Sequence, residues 1–224
     1  MAHECTLSLS ALVIGATGAI GECLVVELLK NDNIAKVTTI ARRKIESWES
    51  ICEGKLTQIV VDFNEMDTIK DEMKEADVAF SCLGMKRFDA KSAELYKKLE
   101  VDANVQFAQM AKEAGVENFT YISGGKADSQ SWFLAVKVKG ETEEALKRLC
   151  FKQLNIYRPM LLDRKEKSTC IEKMSKKLIS SIAVDSLAKV MLHITLLQMT
   201  GNKPMENHVR IIENAELAYL IDNM

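Results

Sequence analysis

The residues Gly15-Ala16-Thr17-Gly18-Ala19-Ile20-Gly21 place three glycines at a spacing suited to holding a pyrophosphate. Glycines in such a run allow a tight turn, close approach of phosphate oxygens to the backbone, and close packing of a helix on a strand. The loop from Gly15 through Thr17, Gly18, Ala19, Ile20 and Gly21 is therefore the expected cradle of a dinucleotide. The N–H groups and partial positive charge of a following helix would face the phosphates. The pattern is specific only where strand, turn and helix follow in that order. A second feature is Arg42-Arg43, directly after Ile40-Ala41. An NAD-selective site puts Asp or Glu at the end of the second strand to bond the ribose hydroxyls, whereas an Arg there accommodates a 2′-phosphate. No acid occurs from Ala41 until Glu46, and guanidinium groups grip phosphate bidentately, so NADP(H) is expected as the cofactor. The plainer alternative is that both arginines solvate a loop.

The elements that would position these residues alternate almost from end to end. Short apolar, β-rich runs occur at Ala11 to Ile14, Lys36 to Ala41, Gln58 to Asp62, Val78 to Cys82, Asn118 to Ile122, Leu154 to Arg158 and Val209 to Ile212. Helical spacing fills the gaps: Leu24, Val25, Leu28 and Leu29 recur on one face, and Ala93 to Ala114 is long enough for about six turns before Gly115 stops it. This is the pattern of an α/β protein with a mostly parallel sheet of about seven strands, doubly wound in the Rossmann manner and buried on both faces. One domain over 1–224 is expected, with a flexible tail over about residues 1–10. The segment from Asp163 to Lys177, rich in Lys, Glu and Ser, is expected to be a surface insert, either plainly solvated or carrying substrate contacts.

Composition limits the function classes. Thirty basic and 32 acidic residues give a net charge of -2, so no global field draws nucleic acid or an anionic membrane, and neither is expected as a partner. The longest apolar runs, such as Val190 to Leu197, are far shorter than the roughly 20 residues of a membrane span. No basic segment followed by a long apolar one opens the chain, which argues against secretion. The six cysteines are scattered with no CxxC pair, and the three histidines are isolated, so no metal and no disulfide framework is expected. A reducing cytoplasm is the expected location.

The combination of Gly15 to Gly21 with Ala41-Arg42-Arg43-Lys44, Val60-Val61-Asp62-Phe63, Ser81-Cys82-Leu83-Gly84, Ala127-Asp128, Val138-Lys139-Gly140-Glu141 and Tyr157-Arg158-Pro159 resembles the atypical short-chain dehydrogenase/reductases. Within them it is most similar to the Tat-interactive oxidoreductase-like family, over nearly the whole chain. That resemblance implies an NADPH-binding fold with Asp62 and Phe63 near the adenine and with Leu83 and Gly84 lining the nucleotide. It also implies a Ser/Tyr/Lys group, in which Tyr donates a proton to a carbonyl, Lys lowers the Tyr pKa and holds the nicotinamide ribose, and Ser orients the carbonyl oxygen.

The sequence departs from that pattern at two of three positions. The Tyr-x-x-x-Lys motif aligns with Ala135-Val136-Lys137-Val138-Lys139, so Lys139 remains while the proton donor has become a methyl group. The usual Ser-Ser pair reads Ser123-Gly124, leaving Ser123 either as a catalytic hydroxyl or as a turn residue. Replacement donors to consider are Tyr96, Lys126 and Lys137, while Tyr121 is expected to point into the sheet packing. The expected function is thus an NADP(H)-binding, oxidoreductase-like protein with a regulatory or weakly active role, read out by an unidentified protein partner. The alternative is an active NADPH-dependent carbonyl oxidoreductase with another donor.

Overall fold

The computed structural model describes residues 7–51, 54–85, 87–163, 181–201 and 208–224. Seven parallel strands form one sheet: β1 (Leu9–Ile14), β2 (Ile34–Ala41), β3 (Leu56–Val60), β4 (Val78–Ser81), β5 (Asn118–Ile122), β6 (Gln153–Arg158) and β9 (His208–Glu213), in the order β3-β2-β1-β4-β5-β6-β9. The helices are α1 (Ala19–Lys30), α2 (Ala93–Lys97), α3 (Asn104–Glu113), α4 (Leu134–Arg148), α5 (Val184–Thr200) and α6 (Asn214–Asp222). Because side chains alternate along a strand, Ala11 and Val13 of β1 enter the core beneath α1 and α5 with Leu24, Leu28 and Leu187. Leu12 and Ile14 enter the opposite core beneath α3 with Phe107 and Phe119. Both faces are covered, as the apolar strands require, and the molecule is an α/β Rossmann-like fold.

All seven expected strands occur, Asn118–Ile122 with the expected ends and the other six with shifted ones. Leu9 and Ser10, expected in a flexible tail, already belong to β1, where Leu9 pairs with Ile34 and the Ser10 N–H donates to Asp77 at 2.7 Å. The third strand stops at Val60, short of the expected Asp62, because the Asp62 carboxylate turns the chain by accepting the Asn64 N–H at 2.9 Å. Two three-residue strands, β7 (Leu161–Asp163) and β8 (Ser181–Ala183), pair beside the main sheet and are too short to show alternation in sequence. The expected insert is described only at Asp163; its remaining residues, 164–177, lie outside the described residues.

The long helix expected from Ala93 is continuous through Glu113, but its middle, Lys98–Ala103, is π-helical. A π segment adds a residue to the turn and swings neighbouring side chains round the axis. The Glu100 carbonyl accepts from Asn104 Nδ2 at 3.0 Å and from Thr142 Oγ1 of α4 at 2.9 Å, which ties α4 to this segment. Gly115, at φ +94°, ends the helix as expected. Among the described residues no helix is long and apolar enough to cross a membrane; the Val190 to Leu197 run lies in α5 and largely faces the core.

Candidate active site

The strand order reverses between β1 and β4, and a crevice outside the carboxyl ends of such strands is where an open α/β sheet accepts ligands. A cleft of about 650 Å³ lies there. Its floor is the glycine loop: Gly15, Thr17, Gly18, Ala19 and Ile20 line it, while Gly21 is turned inward to pack α1 on β1. Gly15 has φ +74°, and a Cβ there would stand 2.4 Å from the Leu83 N. A Cβ on Gly21 would meet the Gly15 carbonyl oxygen at 2.3 Å, whereas one on Gly18 would meet it at 3.2 Å. The three glycines thus hold the loop tight against β4 and against its own helix. No side chain caps α1, so the N–H groups of its first turn remain open to an anion. These residues fit a dinucleotide pyrophosphate.

At one end of the cleft stand Ala41, Arg42 and Phe63, with the Arg42 guanidinium 5.9 Å from the centre of the Phe63 ring. Arg43 and Asp62, singled out in the sequence, do not line it: Arg43 is exposed and the Asp62 carboxylate is engaged with Asn64. The middle is walled by Cys82, Leu83, Gly84 and Met85. Burial pushes the Cys82 thiol up to about 12, so it stays protonated and inert at neutral pH.

Lys139 and Ser123 come together at the other end. The Lys139 Nζ lies 2.7 Å from Glu100 Oε2, 3.4 Å from the Tyr121 hydroxyl and 3.3 Å from the Ile122 carbonyl. Burial alone would lower its pKa; Tyr121 and the Glu100 carboxylate outweigh that and hold the ammonium above the ordinary lysine range. Glu100 Oε1 accepts the Met85 N–H at 2.5 Å, while Oε2 carries the ion pair without a well-aligned hydrogen bond. The Ser123 hydroxyl donates to Glu143 Oε1 at 2.5 Å, and Arg158 grips the same carboxylate through Nε at 2.9 Å and Nη2 at 2.6 Å.

Sequence reasoning missed several lining residues: Glu100, Arg87, Asp89 and Leu99. Tyr96, named without a position, also lines the cleft, and Arg87 covers its ring at 5.8 Å. The one available signal was the one-turn spacing of Tyr96 and Glu100. Tyr121 is sealed in the core as expected, but its hydroxyl reaches Lys139. Lys126 and Lys137 do not line the cleft. No group of metal ligands occurs among the described residues.

Comparison with known proteins agrees with this geometry. Residues 15–196 match a family model described as NAD(P)H-binding. The rat protein HTATIP2 is 33% identical over 218 residues, covering 94% of this chain and 88% of its own. Protein FMP52-1, mitochondrial, of Scheffersomyces stipitis is 35% identical over 197 residues, covering 87% and 81%. Among solved structures, the UDP-glucuronic acid 4-epimerase of Bacillus cereus in complex with NAD superposes with TM-score 0.70 at 16% identity over 92% of this chain and 78% of that one, which shows the shared fold. The oxidoreductase YlbE of Lactococcus lactis superposes with TM-score 0.68 at 15% identity, covering 96% of each chain. Several fungal relatives, including those of Candida albicans and Aspergillus fumigatus, are named as mitochondrial, and this overturns the cytoplasmic expectation. Cysteines scattered along a sequence without a disulfide pattern speak only against an oxidising compartment and do not tell one reducing compartment from another. The chain belongs to the NAD(P)H-binding family that the model defines and is related to HTATIP2 and FMP52.

Proposed function

We propose that the chain is an NADP(H)-dependent oxidoreductase, placed in mitochondria like its named fungal relatives, that interconverts a carbonyl and an alcohol. The observation that carries this reading is the continuity of the cleft. Arg42, the glycine loop and Lys139 line the same cleft as Arg87, Tyr96 and Leu99. Beside the residues suited to a dinucleotide, that cleft thus gathers an apolar side chain, a phenol and a guanidinium, the mixture that lines small-molecule sites.

NADPH, when bound, supplies the hydride. The loop N–H groups and the first turn of α1 would hold the pyrophosphate, and Arg42 the 2′-phosphate, with its side chain laid against Phe63. Arg42 is a cation lining that end, and the absence of an acid at Ala41 removes the group that would favour NAD(H). Lys139, kept charged by Glu100, would hold the ribose and stabilise negative charge developing on a carbonyl oxygen. Ser123 would stand beside the reacting carbon.

A second reading, a nucleotide-responsive regulatory protein with weak activity, is favoured by two observations. Ala135 offers no proton, and the Ser123 proton is already directed at Glu143. The test combines titration calorimetry with NADPH and NADH and assays of NADPH consumption over aldehydes, ketones and quinones. Turnover with at least tenfold preference for NADPH supports the oxidoreductase. Tight NADPH binding without turnover replaces it by the regulatory reading, and equal affinities refute the NADP(H) preference.

A further inference from the structure

We propose that Tyr96 is the proton donor of this cleft, standing in from the neighbouring helix for the hydroxyl that Ala135 lacks. The proposal rests on the carbonyl–alcohol reading above.

Helix register places it. Tyr96 and Glu100 are one turn apart on one helix, and Ala135 and Lys139 are one turn apart on α4. Both helices follow a strand of the same parallel sheet, so they run in the same direction. The Glu100–Lys139 ion pair at 2.7 Å and the Thr142 to Glu100 carbonyl bond at 2.9 Å fix the two helices at a common level. One turn back from that level, Tyr96 on one helix corresponds to Ala135 on the other. The π segment that begins at Lys98 lies directly after Tyr96 and contains Glu100, and π-bulges recur at functional sites because they re-aim side chains.

The surroundings suit the role. The Tyr96 residue is only 3% exposed, yet its hydroxyl has no hydrogen-bond partner among the described residues and is not among the sealed, unpaired polar atoms. A phenol that is unbonded among the described residues, on a residue that lines the cleft, is available to a ligand there. Burial and the Glu100 carboxylate raise its pKa and keep the proton in place, while the Lys139 ammonium acts in the opposite direction and would stabilise the phenolate after transfer. The other tyrosines are excluded by position: Tyr121 and Tyr157 are sealed in the core and absent from the lining, and Tyr219 is 66% exposed on α6.

In reduction, the carbonyl carbon accepts the hydride of NADPH while the carbonyl oxygen takes the proton as the Tyr96 O–H bond breaks. The carbonyl becomes an alcohol, NADPH becomes NADP⁺, and the Tyr96 phenolate regains a proton from water.

The test compares the wild type with Tyr96→Phe, with Tyr96→Phe/Ala135→Tyr, and with Tyr219→Phe as a control. Tyr96→Phe keeps the ring beneath Arg87 and should lower carbonyl reduction by 10² or more while leaving NADPH affinity within about threefold. Adding Ala135→Tyr should restore at least tenfold. A readout independent of activity uses protein labelled with ¹³C at the tyrosine ζ-carbon, where the four tyrosines give four signals assigned by single Phe replacements. The Tyr96 signal should shift when NADP⁺ is added, and its titration midpoint should move upward in Lys139→Gln. An active wild type with Tyr96→Phe within threefold of it overturns the proposal and spares the oxidoreductase reading. A Tyr96 signal blind to both NADP⁺ and Lys139→Gln overturns the placement. A wild type without turnover overturns the oxidoreductase reading, and the proposal with it.

Discussion

The Lys139 ammonium lies 2.7 Å from the Glu100 carboxylate, with side-chain exposures of 16% and 1%. Each charge is tolerable there only because of the other. Lys139→Met should therefore destabilise the fold by about 3 kcal/mol, since it leaves a buried carboxylate unpaired. The double change Glu100→Gln/Lys139→Met should recover most of that loss in urea unfolding. If Lys139→Met unfolds at the wild-type urea concentration, the pair carries no structural role.

Arg42 and Arg43 are adjacent in sequence and unequal in space: Arg42 lines the cleft beside Phe63, and Arg43 does not. Arg42→Ala should weaken NADPH by at least tenfold, the loss of about 1.4 kcal/mol or more of charge-assisted contact, and change NADH by less than threefold. Arg43→Ala should change neither by more than threefold. Calorimetry that finds Arg43 dominant would move the 2′-phosphate to the other side of the loop.

The glycines separate fold from binding in the same way. Gly18→Val should abolish nucleotide binding in a folded protein, because φ -81° is ordinary and its nearest neighbour, the Gly15 carbonyl oxygen, stands at 3.2 Å from an added Cβ. Gly15→Val should fail to fold, since the position is left-handed and the added atom would strike the Cys82–Leu83 backbone within 2.6 Å. Circular dichroism and NADPH titration of the two variants check this; nucleotide binding by folded Gly18→Val would displace the phosphate site.

If Tyr96 is the donor, the pH dependence of reduction has a definite sign. The acid form is required, and burial together with Glu100 holds its pKa above the ordinary tyrosine value of about 10. The rate should stay level through neutral pH and fall only on the alkaline side of about 10. A fall between pH 6 and 8 in the wild type would point to a different acid.

The glycine loop and the seven strands of the main sheet were legible because they are local: strand, turn and helix follow one another within Leu9 to Lys30, and each of those strands is a short segment rich in apolar or β-branched residues. The partners of Lys139 were not, because they converge from distant parts of the chain. Glu100 lies 39 positions away, and a buried glutamate reads in sequence like any solvated residue of an amphipathic helix. The π segment that turns it inward leaves no compositional trace, since its carbonyl is satisfied by Asn104 and by Thr142 from another helix. Asp62 illustrates the converse. The family resemblance drew attention to it at the end of the third expected strand, yet the Asn64 turn occupies its carboxylate.

Ser123 and Glu143 set the last expectation. A serine that orients a carbonyl must donate its proton to the carbonyl oxygen, but the Ser123 proton goes to Glu143 at 2.5 Å, and the carboxylate is fixed by Arg158. The lone pairs left on Ser123 can accept a hydrogen bond from an alcohol, and cannot donate one to a carbonyl without first breaking a charge-assisted bond. Ser123→Ala should therefore lower carbonyl reduction by less than about tenfold, well short of the loss typical of a general acid. It should cost about 1 kcal/mol of stability, because Glu143 keeps both Arg158 bonds. Gly124→Ser adds a hydroxyl where the family pattern has one, and a Cβ there meets nothing closer than Lys139 Cγ at 3.8 Å, so the fold accepts it. That variant should raise carbonyl reduction severalfold in steady-state assays, and Gly124→Ser/Ala135→Tyr should raise it further by supplying both hydroxyls of that pattern. A loss of 10³ or more in Ser123→Ala, with no gain in Gly124→Ser, would show that Ser123 releases Glu143 when substrate binds and donates to the carbonyl after all.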